Sequence, residues 1–171
     1  MIVFDVNETL SDMSPMADRF AEVGAPASLA REWFAGVLRD GFALAAAGGS
    51  GAFAVVGAES LRGLLGAIPL TRGLEAAVDH IMGGLRQLGV HPDVVPGIRA
   101  LTAAGFRLVT LTNGSTRLAE GLFADAGIRS EFEQLLSVEN AAGWKPMRAA
   151  YDYAAYACGV ETAQMLLGCV S

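Results

Sequence analysis

A doubly wound, mostly parallel α/β sheet with an inserted α-helical subdomain is what this 171-residue sequence predicts, and three observations carry it. A short apolar run opens the chain over residues 1–6 and reads as a buried strand. From about Ser14 to Val90 the apolar residues recur at helical spacing, with no convincing strand among them. After His91-Pro92-Asp93 helix and strand patterns alternate, as they do where helices cross over between parallel strands.

Taken in order, the first strand ends in Asp5 and the chain turns through Val6-Asn7-Glu8-Thr9-Leu10. In the insert, Leu29, Trp33 and Val37 recur every fourth residue, and an Ala/Gly-rich stretch runs from Ala45 to Gly57. Leu61, Leu64, Leu65 and Ile68 precede Pro69, and Leu74, Val78, Ile81, Leu85 and Leu88 then line one helical face. Four or five helices are expected over residues 14–90, with residues 1–13 and 91–171 forming the core domain.

In the second half, Pro96 to Ala104 is predicted as a helix ended by Gly105, the residue favoured just past a helix C-terminus. Phe106 to Leu111 follows as a buried strand, and Thr112-Asn113-Gly114-Ser115 as a turn whose Ser115 or Thr116 caps the next helix. That helix is expected to bury Leu118, Leu122 and Phe123 and to stop at Gly127. Gln134 to Val138 is a weaker strand. Pro146, suited to a first helical position, opens a helix to Cys158, and Met165 to Val170 is a last apolar strand.

Composition narrows the function. At 17.7 kDa the chain fits one core domain with an inserted subdomain, and 53% hydrophobic with 18% charged residues argues against disorder. A net charge of -6 leaves no basic footprint, so nucleic acid is not expected as a partner. The most apolar stretch, Phe42 to Val56, is broken by several glycines, so no membrane span is expected. No secretory signal pattern opens the chain, and Cys158 and Cys169 match no metal or disulfide framework; the expected location is the cytoplasm.

Four places should meet on one rim of the sheet, because ligands of open α/β sheets bind outside the carboxyl ends of the strands: Asp5 to Thr9, Thr112 to Ser115, Lys145, and the region of Ser171. Singly each has a plain structural explanation. A strand-end Asp, an Asn-Gly turn and a loop Lys all occur without catalysis. What distinguishes Asp5 is the residue two places on. Phosphoryl transfer at such a site needs a second carboxylic acid there to protonate the leaving oxygen, and Asn7 has no such proton. A leaving group that needs none is favoured.

Together these segments resemble the haloacid dehalogenase superfamily, and within it the L-specific 2-haloacid dehalogenases. Phe4-Asp5-Val6-Asn7-Glu8-Thr9-Leu10 is similar to the first motif, Leu111-Thr112-Asn113-Gly114 to the second, and Lys145-Pro146 with Tyr151 to the third. The resemblance implies a Rossmann-like core domain with a helical cap inserted between the first two motifs. It implies that Asp5 attacks C2 of a short 2-haloalkanoate, giving an aspartyl ester with inversion, which water hydrolyses to a 2-hydroxy acid. Thr9 would orient Asp5, and Lys145 would stand beside it and hold it ionised. Thr112 and the N–H groups of its turn would bind the substrate carboxylate, Asn113 the departing halide, and Tyr151 would support Lys145 or that carboxylate. No metal and no cofactor is implied, and a homodimer is.

Two departures from the family accompany the match. The cap Arg that grips the halide falls on Phe34, beside Trp33, with Arg31 three residues earlier on the same face and Arg39 further round the helix. The fourth motif begins at Ser171, and the rest of it lies beyond this sequence, so this stretch alone is expected to turn over little or not at all. Two further functions stay open on these residues: a Mg²⁺-dependent phosphatase of the same superfamily, and a degenerate member that binds without catalysis.

Overall fold

Ile2, Val3 and Phe4 form the first strand, β1 (Ile2–Phe4), in the computed structural model, which describes residues 1–169. It ends earlier than the apolar run suggests, because the Val6 carbonyl already accepts the N–H groups of Leu10 and Ser11 and so belongs to a turn. The described chain divides into two compact units, one made of Met1–Asp12 and the chain from Gly89 onward, the other of Met13–Leu88.

The first unit is the predicted α/β fold. Its other strands are β2 (Leu108–Thr112), β3 (Gln134–Ser137) and β4 (Leu166–Gly168), in the order β3-β2-β1-β4 and all parallel. Ile2 stands opposite Leu108 and Leu166, and Phe4 opposite Thr110 and Gly168. Successive strand residues point to opposite faces, yet Ile2, Val3, Leu108 and Val109 are all buried, as in a sheet covered on both sides. One face holds a core of Ile2, Val6, Leu10, Leu108, Phe123, Ile128 and Phe132, with Val94 and Ile98 from a helix. β4 lies at the sheet's edge, with Leu166 and Leu167 exposed.

Helix boundaries shift for local reasons. The helix expected from Pro96 starts at Val94 (Val94–Ala103), since a proline in the first turn removes an N–H that has no intrahelical partner there. Gly105, at φ +83°, ends it as expected, and the Phe106 N–H is spent on the Leu101 carbonyl, so β2 begins at Leu108 instead of Phe106. The helix Thr116–Asp125 is capped by Ser115, whose Oγ accepts the Leu118 N–H at 3.4 Å. Leu118 and Leu122 are half-buried on it and Phe123 is fully buried. The last helix, Arg148–Cys158, starts two residues after Pro146, because the Met147 N–H closes a turn onto the Trp144 carbonyl. β3 stops at Ser137, and Val138 starts a short 3-10 turn. β4 is shorter than the Met165 to Val170 run, of which Val170 lies outside the described residues.

The second unit holds four helices, which we number with those above in chain order: α1 (Met16–Glu22), α2 (Leu29–Ala46), α3 (Phe53–Leu65) and α4 (Leu74–Gly84), leaving α5, α6 and α7 for the core. α1 contacts α2 and α4, and α3 contacts the same two, so the four close around one interior. Phe20, Trp33, Leu61, Leu65 and Ile81 fill it. The Trp33 Nε1–H donates to the buried Gly57 carbonyl at 3.0 Å. Most of the Ala/Gly-rich stretch is helical: α2 runs to Ala46 and α3 resumes at Phe53.

Candidate active site

Asp5 is the first residue past β1, and its N–H donates to the Gly168 carbonyl of β4 at 2.9 Å, which anchors it at the carboxyl edge of the sheet. The tight turn that follows returns Thr9 to it, and the Thr9 hydroxyl donates to Asp5 Oδ2 at 3.1 Å. The other carboxylate oxygen, Oδ1, accepts from Lys145 Nζ at 2.6 Å. That ammonium also donates to the Leu111 carbonyl at 2.5 Å. With side-chain exposures of 11% for Lys145 and 23% for Asp5, the pair is sheltered but open on one side. A charge-assisted hydrogen bond in such surroundings is shorter and stronger than one between neutral groups.

Lys145 is aimed by its own backbone, whose N–H donates to the Asn113 Oδ1 at 3.0 Å. Asn113 is buried, and its NH₂ has no protein partner among the described residues. Thr112 closes β2. Its Oγ accepts the Gly114 N–H at 2.9 Å, so that turn N–H is used internally, while the hydroxyl proton of Thr112 is free to donate. The turn leads directly into α6, whose N-terminal N–H groups favour an anion nearby.

Asn7 stands against this turn. A Cβ added at Gly114 would come within 3.3 Å of both the Asn7 Nδ2 and the Thr112 Oγ1, so only glycine leaves these two side chains their present places. Tyr151 is half-buried on α7. Its burial pushes the phenol above its ordinary range, and Cys169 and Asp5 push the same way. Of the other tyrosines on α7, Tyr156 is fully solvated and Tyr153 half-buried.

Asp5, Thr9, Thr112, Asn113 and Lys145 are thus brought together within the α/β unit. Phe34 lies on α2 in the helical unit, where its ring sits 6.3 Å from that of Phe53. Arg39 is paired with Asp40 at 2.8 Å, Arg31 is exposed, and Trp33 is enclosed in the helical interior. Ser171 lies outside the described residues. Among the described residues no three His, Cys, Asp or Glu side chains gather as a metal site, and no helix is long and apolar enough to cross a membrane.

Sequence inspection missed Ser137. Its buried hydroxyl donates to the Gly114 carbonyl at 2.7 Å and accepts the Glu139 N–H at 3.0 Å, tying the end of β3 to the turn after β2. A small polar residue after two leucines at the end of a strand is the trace of this in the sequence, and the structure pairs it with Thr112.

Residues 1–167 match the family model described as haloacid dehalogenase-like hydrolase. The chain is 37% identical over 75 residues to haloacetate dehalogenase H-2 of Moraxella sp. (strain B), a match covering 44% of this chain and 34% of that protein. It is 31% identical over 80 residues to the (S)-2-haloacid dehalogenase of Pseudomonas sp. (strain YL), covering 47% and 34%. The matched segments thus span about a third of the length of these relatives. Among solved structures it resembles the L-2-haloacid dehalogenase from Xanthobacter autotrophicus, with a TM-score of 0.85 and 26% identity over 97% of this chain and 67% of that one.

Proposed function

Because this chain belongs to the haloacid dehalogenase-like hydrolase family, we propose that it hydrolyses the carbon–halogen bond of short 2-haloalkanoic acids to give 2-hydroxy acids. One observation carries the proposal: the Asp5 carboxylate is held by Thr9 on one oxygen and Lys145 on the other, while the place two residues on is an amide, Asn7. The site has an oriented nucleophile and no acid proton at the position where phosphoryl transfer would require one. Halide departs as an anion and needs none.

In this mechanism an Asp5 oxygen attacks C2 from the side opposite the halogen. The C–O bond forms as the carbon–halogen bond breaks, halide carries away the electron pair, and C2 inverts. Water then adds to the ester carbonyl, and the released 2-hydroxy acid frees Asp5. Lys145 supplies the positive charge that keeps the carboxylate in place. Thr112, through its free hydroxyl proton, and the N-terminus of α6 receive the substrate carboxylate, and the Asn113 NH₂ receives halide. Tyr151 supports Lys145 or the substrate carboxylate in this reading, and Phe34 takes the place of the family's halide-gripping Arg. We further propose a homodimer in the cytoplasm. The exposed Val55, Phe42 and Leu44 of the helical unit and the exposed edge β4 offer surfaces for a second copy.

The test is halide release from 2-chloropropionate and bromoacetate without added metal, with intact-protein mass spectrometry to detect the aspartyl ester. Release or ester formation is expected in the parent chain and in neither case after Asp5→Asn. Activity that appears only with Mg²⁺ on p-nitrophenyl phosphate, with none on haloacids, would overturn the proposal.

A further inference from the structure

Glu8 is the one non-glycine among the described residues whose backbone is left-handed, at φ 66°. A side chain disfavours this conformation because its Cβ crowds the following carbonyl, so a non-glycine holds it only where its surroundings impose it. The Glu8 side chain is exposed and supplies no such packing. Its backbone is held from both ends instead. The Glu8 N–H donates to the Ser11 Oγ at 3.3 Å, and the Glu8 carbonyl accepts from the His91 Nε2 at 3.4 Å.

The two holders are themselves fixed. Ser11 is buried, its N–H donates to the Val6 carbonyl, and it bridges Val90 in antiparallel fashion. The His91 N–H donates to the Leu10 carbonyl at 3.1 Å, and the Asp12 N–H to the Gly89 carbonyl at 2.9 Å, so residues 89–91 strap the turn from outside. The next residue after Glu8 is Thr9, and the left-handed step is what turns the chain so that the Thr9 hydroxyl meets Asp5 Oδ2.

We propose that Ser11 and His91 are positioning residues that clamp the Glu8 peptide in its left-handed conformation, and that this clamp sets the Thr9–Asp5 hydrogen bond and the direction in which Asp5 attacks. Neither side chain touches the reacting atoms. The inference rests on Asp5 being the nucleophile proposed above.

The experiment compares Ser11→Ala and His91→Ala, each alone and combined with Glu8→Gly, by two measurements. One is the rate and concentration dependence of Asp5 ester formation from 2-bromopropionate, followed by mass spectrometry. The other is amide hydrogen exchange at Leu10 and Ser11, whose N–H groups close the turn onto Val6. Each single variant should slow ester formation about fivefold, the effect of one lost hydrogen bond, at unchanged half-saturating substrate, and should speed exchange at Leu10. Adding Glu8→Gly should return both to within about twofold of the parent, because glycine enters the left-handed region without the Cβ penalty. Unchanged rates in both single variants, or losses that Glu8→Gly fails to restore, overturn the clamp. Should the parent chain form no ester at all, the dehalogenase proposal falls, while the exchange measurement, which needs no substrate, still decides the clamp.

Discussion

Lys145 Nζ lies 2.6 Å from Asp5 Oδ1 although 140 residues separate the two in the chain, and the same ammonium reaches the Leu111 carbonyl. Three different segments therefore meet at one nitrogen. Lys145→Met removes the charge and leaves both oxygens without their donor. Ester formation at Asp5 should fall by about 10²-fold or more, in the range seen when a preorganised charged or hydrogen-bonding group is lost. Single-turnover mass spectrometry with bromoacetate checks this. An undiminished rate would mean that Lys145 is structural only.

Ser137→Ala should both destabilise the protein and loosen the turn after β2, the proposed site of the substrate carboxylate. The change strands the buried Gly114 carbonyl and the Glu139 N–H, at a cost of about 1–3 kcal/mol. Urea unfolding should show the loss. The substrate concentration for half-maximal ester formation should rise several-fold while the limiting rate changes less, because Ser137 holds the turn and not Asp5.

Thr110→Val should stabilise. The Thr110 Oγ1 is fully buried in the middle of β2 and has no hydrogen-bond partner among the described residues, so its hydroxyl was stripped of water with nothing in return. Valine has the same shape without the polar atom, and a gain of about 1 kcal/mol is expected. Thermal unfolding should shift upward by a few degrees; a downward shift would show that the hydroxyl finds a partner in solution.

Tyr151 makes stability sensitive to alkaline pH. Burial, followed by the charges of Cys169 and Asp5, raises the phenol above its ordinary value. A group with a raised folded value contributes stability that is fully present below the unfolded value of about 10 and is lost as pH rises through the folded one. Unfolding free energies measured from about pH 9 to about pH 12 should therefore decline, and Tyr151→Phe should flatten that decline. An equal slope in the variant would place its origin elsewhere.

Much of the candidate site was legible because its residues fall in short stretches. Asp5 with Thr9, and Thr112 with Asn113 and Gly114, each occupy a few consecutive residues at a strand end, where local pattern suffices to place them. Ser137, Ser11 and His91 carry no such pattern. Each acts through a hydrogen bond to a backbone atom, three residues away for Ser11 and in another segment for Ser137 and His91, and a sequence does not display which backbone group lies opposite a serine or a histidine. Boundaries failed in the same way: Phe106 and Pro146 look like strand and helix, but the Phe106 N–H is spent in a turn onto Leu101 and that of Met147, next to Pro146, in a turn onto Trp144.

What the sequence determined by itself is the succession of elements. Hydrophobic periodicity and turn residues act over a few positions, and they mark out a first strand, a helical insert and an alternating second half. Only the tertiary structure decided the order β3-β2-β1-β4, the exposure of β4, and the meeting of Asp5, Leu111 and Lys145 at a single ammonium. Those depend on which strands pair and on how far the chain doubles back between them. Such long-range choices are made by the burial of both sheet faces together and by the pairing of every buried polar group, and no local window contains either.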